Sequence, residues 1–209
     1  MKHNLLLLAL FLASQHQCGP HCGTERWSVK TLSDQDADKV SAQRANQTVH
    51  WLVSQAPPPT RPADNRISPI ETTTFVVQAR LLGFKRETDQ DIHIVLGDQN
   101  FRETMIAEIP NFRCDGVCSS KAANLIRQAG TDFVHHCGVP TSGLKKLTKP
   151  FLVHVTGVGF FDFKHNQTGV AKNAIELHPV LRIEFPDNSD DCARHLMVVN
   201  QAGGASHRP

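Results

Sequence analysis

The sequence predicts a mainly β domain of five strands with one helix between the third and fourth, preceded by an N-terminal extension. Three observations carry this reading. From Ile70 onward apolar and polar residues alternate with a period of two, first through Phe75, Val77, Ala79 and Leu81, then through Ile92, Ile94 and Leu96. One stretch breaks that period, where Ala123, Leu125, Ile126, Ala129 and Phe133 recur at helical spacing. A run from Ala56 to Pro69 with five prolines separates both patterns from everything before it. Prolines remove backbone donors and forbid helix, so that run reads as an extended connector on the surface.

In chain order, Met1-Lys2-His3 and the nine-residue apolar run Leu5 to Ala13 read as a secretory signal peptide over residues 1–15. That run is too short to span a bilayer, which takes about 20 apolar residues, so no membrane span is expected in the mature chain. Residues 16–69 form the extension and the Pro-rich linker. Within it Trp27 and Val29 alternate with Arg26, Ser28 and Lys30, the pattern of a strand-like arm docked on the main body. Asn46 or Thr48 is placed to cap a short helix running to about Gln55.

Residues 70–186 form the main domain. Its first strand is interrupted by Gly83, the mark of a bulge or bend. The polar run Lys85 to Gln90 connects it to the second strand, and Met105 to Ile109 makes a third, stopped by Pro110. A helix starting at Ser119 or Ser120 ends near His135, and Gly138 to Pro150, with Lys145, Lys146 and Lys149, reads as a basic loop. Phe151 to Phe163 and Ile175 to Phe185 are the last two strands. Residues 187–209 form a tail whose end is expected to be mobile.

At 209 residues the chain suits one core plus extensions, given about 100–200 residues per domain. Lys+Arg 22 against Asp+Glu 20 leaves a formal net charge of +2, so composition lends no support to nucleic-acid or acidic-lipid binding. Six cysteines, Cys18, Cys22, Cys114, Cys118, Cys137 and Cys192, follow the signal segment, and an even count in an exported chain points to disulfides and a secreted or periplasmic location. Spacing does not fix the pairing. The preferred bridge joins Cys137 to Cys114 or Cys118, closing a loop around the helix between them. Zinc sites from Cys18, His21 and Cys22, or from His135, His136 and Cys137, are the competing use.

The element order, three strands, a helix and two strands with a bend in the first, resembles the OB-fold, a five-stranded barrel whose open end one helix plugs. The resemblance covers Thr72 to Phe185. The wording of Glu25 to Thr31 and of Thr156 to Val180 is also similar to a group of uncharacterised secreted bacterial proteins that share both stretches. That second resemblance implies a family without an activity.

The candidate site residues gather near the last two strands. Glu176 and His178 lie two apart on one strand and share a face, and His93 and His178 fall on the non-core phase. Asp162, His165 and Asn173 lie in or beside the polar loop between the last two strands, and Lys30 can reach the site from the arm. Carboxylates beside imidazoles hold divalent metals or move protons; the structural alternative is that these groups tie loop backbone. Arg80, Arg86 and Arg182 form no motif around paired carboxylates, so the nucleases built on similar barrels lend no catalytic role. No phosphate loop, serine elbow or His-Glu-x-x-His motif is present, and no cofactor is indicated. The expected function is an exported binding or structural module on an OB-like barrel, with an oligonucleotide or oligosaccharide as the ligand classes such barrels take. The alternative is a metal-assisted hydrolase, of phosphodiesters for example, using Asp162, His165, Glu176 and His178.

Overall fold

The computed structural model describes residues 18–186 and 191–196. The expected signal segment and the last residues of the tail, 197–209, lie outside the described residues. Along the chain come α1 (Trp27–Thr31), β1 (Arg44–Gln47), α2 (Val49–Ser54), β2 (Thr74–Arg86), β3 (Ile92–Gly97), β4 (Thr104–Ile109), α3 (Asp115–Cys118), α4 (Ala123–Cys137), β5 (Lys145–Phe161), β6 (Ile175–Glu184) and α5 (Cys192–His195). The fold is mainly β, with the six strands in one mixed sheet of order β1-β2-β3-β4-β6-β5 and a further pairing of β5 with β2.

The five expected strands are β2 to β6; the sixth, β1, comes from the extension. It forms because β3 pairs only with Arg80 to Arg86 of the long β2, which leaves Thr74 to Val77 open on that side. Arg44 to Gln47 fill that edge in parallel register. The expected bend in β2 is present as a register shift between Leu81 and Gly83 against both neighbours. A Cβ at Gly83 would stand 2.8 Å from the Lys145 carbonyl oxygen, so the close approach of β5 requires glycine.

The core lies between the sheet and α4. Ile94, Leu96, Met105, Ala107, Val153, Val155, Ile175 and Leu177 are buried together. Ile126, Ala129 and Phe133 of α4 pack onto them, with Phe133 edge-on to Phe84 at 5.1 Å. Thr48 caps α2 as expected, accepting from the Trp51 amide at 3.0 Å.

Four local expectations are corrected. The arm is a helix: Trp27, Lys30 and Thr31 share a buried face at i, i+3 and i+4, and so short a window satisfies both periods. The basic loop becomes strand from Lys145 onward, because Lys145 and Lys146 pair with Phe84 and Gly83. Pro150 is tolerated there because Leu147 to Pro150 sit opposite the bulge and pair with no residue of β2. Helix α4 runs on to Cys137, where Gly138 at φ 71° ends it, and Leu125 faces solvent rather than the core.

The cysteines pair as Cys18–Cys118, Cys22–Cys114 and Cys137–Cys192, not as Cys137 with Cys114 or Cys118. Cys18 and Cys22 stand opposite Cys118 and Cys114 across α3, so two bridges lash the N-terminal segment to the turn after β4. The third anchors the tail to the end of α4. All six sulfurs are used, which removes the thiolates that either zinc reading needs. Three disulfides fit an oxidising compartment, and among the described residues no helix is long and apolar enough to cross a membrane.

Candidate functional site

The outer face of β3, β4 and β6 is unusually polar for a buried surface. His93 of β3 and Glu108 of β4 are cross-strand partners, and the parallel register of β4 on β6 sets Ile106 beside Glu176 and Ala107 beside Leu177, which brings His178 next to Glu108. His93, Glu108, Glu176 and His178 are all buried. The non-core phase of His93 and His178 is therefore real, yet it is covered. The cover is the N-terminal segment, with Lys30 and Arg26 lying over the Phe160 ring at 5.5 and 4.7 Å while the His178 ring meets it edge-on at 5.5 Å.

That segment is held by a buried clamp. Arg26 grips Glu71 through two nitrogens, each 2.7 Å from a carboxylate oxygen, and donates to the carbonyls of Pro62, Asn65 and Phe161. Glu71 in turn accepts the amides of Ile67 and Phe161, both at 2.8 Å. Arg66 and Asp34 make a second bidentate pair beside it. Beyond the clamp, Lys30 donates to Asp162 at 3.1 Å and His165 meets Glu25 at 2.7 Å. The stretches Glu25 to Thr31 and Thr156 to Val180 thus meet face to face.

Each candidate takes a distinct place. His93 has acceptors at both ring nitrogens, Glu108 at 2.9 Å and the Thr168 carbonyl at 2.9 Å, so both nitrogens donate and the ring carries a charge. Burial opposes that charge, but Glu108 outweighs it and holds the His93 pKa above its usual range. Asn173 is structural: its amide donates to the carbonyls of Leu52 and Gln55 and its oxygen accepts the Ile175 amide. It ties α2 to the loop before β6 and offers nothing to a ligand. His165 is exposed while His178 is fully enclosed, so the expected set of Asp162, His165, Glu176 and His178 does not form one open site.

His178 lies at the centre of the enclosed part. Its Nε2 is 3.4 Å from an Asp91 oxygen, and its Nδ1 is 3.4 Å from Glu108 and 3.9 Å from Glu176. Burial would lower its pKa, but these carboxylates push it up to about 9. Burial pushes Asp91 up to about 7, with His178 pulling the other way. Burial raises Glu176 too, and the charges of Glu108 and Asp162 add to the rise. Burial also works to raise Glu108, but His93 and His178 overcome it and hold its carboxyl below the usual range. Burial works against the Lys30 charge, yet Asp162, Glu108 and Glu176 hold its ammonium above its ordinary value. Asp91 and Glu108 are not sequence candidates. The signal for Glu108 is a carboxylate inside the apolar run Met105 to Ile109; Asp91 has none beyond its place just before β3.

In front of this cluster lies a pocket of about 500 Å3 lined by Cys22 to Glu25 and Lys30, by Glu87, Thr88 and Asp89 of the β2–β3 turn, by Glu108, and by Asp162, His165 and Gln167. Its carboxylates outnumber its cations. A larger hollow of about 640 Å3 near Asn46 to His50 and Asp98 to Asn100 lacks such chemistry, because Asp98 is spent on the Arg102 and Glu103 amides and His50 on Glu103.

No protein-family model matches the chain, and no curated protein matches it. Among solved structures it is similar to a protein described as an aspartyl-tRNA synthetase from Leishmania major Friedlin, with 16% identity and a TM-score of 0.37, covering 69% of this chain and 21% of that one. A likeness that loose carries neither fold nor function.

Proposed function

We propose that the protein is an exported binding module on an OB-like barrel, kin to the secreted bacterial group it resembles, and that it takes a small cationic ligand in the pocket between the β2–β3 turn and the β5–β6 loop. The barrel reading is supported by the pairings, which run from β2 through β3, β4, β6 and β5 back to β2, and by α4, which lies in the chain between β4 and β5, the third and fourth of those strands in sequence order. Barrels of this kind take ligands on the face of their second and third strands, flanked by two such loops. The disulfides support export.

The observation that carries the ligand class is the lining. Glu25, Glu87, Asp89, Glu108 and Asp162 line one pocket with Lys30 and His165, and with Asp162 paired to Lys30, Glu25 to His165, Glu87 to Lys85 and Glu108 to His93 the carboxylates still outnumber the cations. Such a field attracts amines and guanidinium groups and repels a phosphate backbone. An oligonucleotide therefore fits poorly here, and the shortage of exposed aromatic rings removes the stacking platform it needs.

Calorimetric titration of the disulfide-bonded protein tests this at low salt, using spermidine as the cationic probe and a ten-nucleotide oligo-dT as the anionic one. Spermidine is expected to bind and the oligonucleotide to give no heat. Replacing Glu87→Gln with Asp89→Asn should weaken spermidine by about tenfold or more, the equivalent of about 1.4 kcal/mol. Oligo-dT binding that survives 150 mM salt would overturn the assignment.

A further inference from the structure

A different hollow, of about 320 Å3, lies where α4 meets the paired ends of β3 and β4 at Ile92 and Ile109. Ile126 and Val134 of α4 line it, as do Phe112 and Val139 from the loops on either side of the helix. Phe112 and Val139 are 42% and 67% exposed, two of the five large apolar side chains left in solvent among the described residues. Exposed apolar groups gathered around a concavity mark a place where something binds. This hollow shares no lining residue with the acidic pocket: Glu87 to Asp89 line that one, whereas Arg86 and Gln90, which flank them in the chain, line this one.

Two further observations say that the hollow is kept open and what suits it. Gly130 lies in the interior of α4 and lines the hollow, although glycine is the poorest helix former after proline. A Cβ there would meet only Ile109 Cγ2, at the ordinary contact distance of 3.7 Å, so packing does not require glycine. What the missing side chain does is leave the space free. Charge then selects the occupant. Arg86 lines the hollow and no carboxylate does. Arg113 and Arg127 each bring a guanidinium to 5.7 Å from the centre of the Phe112 ring. Among the described residues none of these three arginines is in an ion pair with a carboxylate. Cations around an apolar cavity complement an apolar body that carries a negative charge.

We propose that this hollow binds a small free carboxylate with an apolar body, its chain against Ile109, Phe112, Ile126 and Val134 and its charge toward Arg86. The volume is at the low end of the range of about 300–1,000 Å3 that ligand pockets span, so a molecule the size of a medium-chain acid suits it. An amine, which suits the acidic pocket, meets three guanidinium groups here. The proposal does not rest on the cationic-ligand reading, because the two sites have no residue in common and their ligands should bind together without competing.

Calorimetry and backbone amide shifts of the disulfide-bonded protein test this, with octanoate as the probe, hexanoate as its shorter homologue and octylamine as a cation with the same body. Octanoate should bind saturably, with shifts at Ile109, Asn111, Phe112, Gly130, Val134 and Val139 and no change in spermidine affinity. Each buried methylene is worth about fourfold in affinity, so hexanoate should bind about tenfold or more weakly. Arg86→Gln should weaken octanoate about threefold. Gly130→Leu should fill the hollow and abolish octanoate binding without lowering the melting temperature or weakening spermidine. Phe112→Ser, at the surface, should weaken octanoate about fivefold or more, and it decides if Gly130→Leu does not fold. The proposal is overturned if octanoate does not bind saturably or if octylamine binds as tightly. A wild-type dimer that Phe112→Ser dissociates also overturns it, because a second copy would then cover the hollow.

Discussion

Replacing Arg26 with alanine should unlatch the N-terminal segment from the site it covers. Arg26 is buried with Glu71, and its side chain makes five hydrogen bonds: two to that carboxylate and three to the carbonyls of Pro62, Asn65 and Phe161. Truncation leaves Glu71 charged and enclosed, still accepting the amides of Ile67 and Phe161 but facing no cation. Breaking a buried pair from one side costs about 3–5 kcal/mol, mostly from the stranded charge, and three unmatched carbonyls argue for the upper half of that range. The replacement Glu71→Gln alone should cost less, because it strands a cation that keeps three carbonyl partners. In the double variant Arg26→Ala with Glu71→Gln the stranded carboxylate is gone, so the two losses should fall short of additive by about 2 kcal/mol. Urea unfolding followed by the fluorescence of Trp27, which adjoins Arg26, measures all four proteins. A loss below about 1 kcal/mol for Arg26→Ala, or strict additivity, would refute the clamp.

Three further outcomes follow from the same geometry. The protein should lose stability as pH rises from about 6.5 to about 9: the folded-state pKa of His178 is raised to about 9, so its contribution is complete below its unfolded value of about 6.5 and gone above the folded one. The shift corresponds to about 3 kcal/mol at most; melting across that range checks it, and a flat profile counts against a charged His178. Removing the Cys22–Cys114 bridge as Cys22→Ser with Cys114→Ser should cost about 2–4 kcal/mol and leave the Cys18–Cys118 bridge intact, read by denaturant midpoint and free-thiol assay. Asn173→Ala should cost about 2 kcal/mol through the unpaired carbonyls of Leu52 and Gln55 while leaving spermidine affinity unchanged; a change in affinity alone would mean that Asn173 touches the ligand.

What the sequence made legible was local and periodic. The alternation in β2 and β3, the bend at Gly83, the cap at Thr48 and the buried face of α4 rest on neighbours a few residues away. The arm is ambiguous in sequence because five residues of alternation around Trp27 fit a strand and a helix turn equally well. Long-range partners leave no such trace. Glu71, Asp34 and Arg66 lie in segments without period, and their importance appears only once the N-terminal segment folds back over Phe160. Glu176 and His178 were legible as a same-face pair, and Lys30 as a group that reaches the site. Asp91 and Glu108 were not, because what gathers them is the register of three strands. The disulfide pairing escaped for the same reason: bridges spanning 100 and 92 residues reflect the closed chain path, not the spacing.

The central claim is that the ligand enters between the β2–β3 turn and the β5–β6 loop and that it is a cation. Mapping backbone amide shifts of the isotope-labelled protein during spermidine titration tests it most directly. The account predicts saturable shifts at Thr24, Glu25, Glu87 to Asp89, Asp162, His165 and Gln167, all of which line that pocket. Shifts confined to Asn46 to His50 and Asp98 to Asn100, around the larger hollow, or none that saturate, would contradict it.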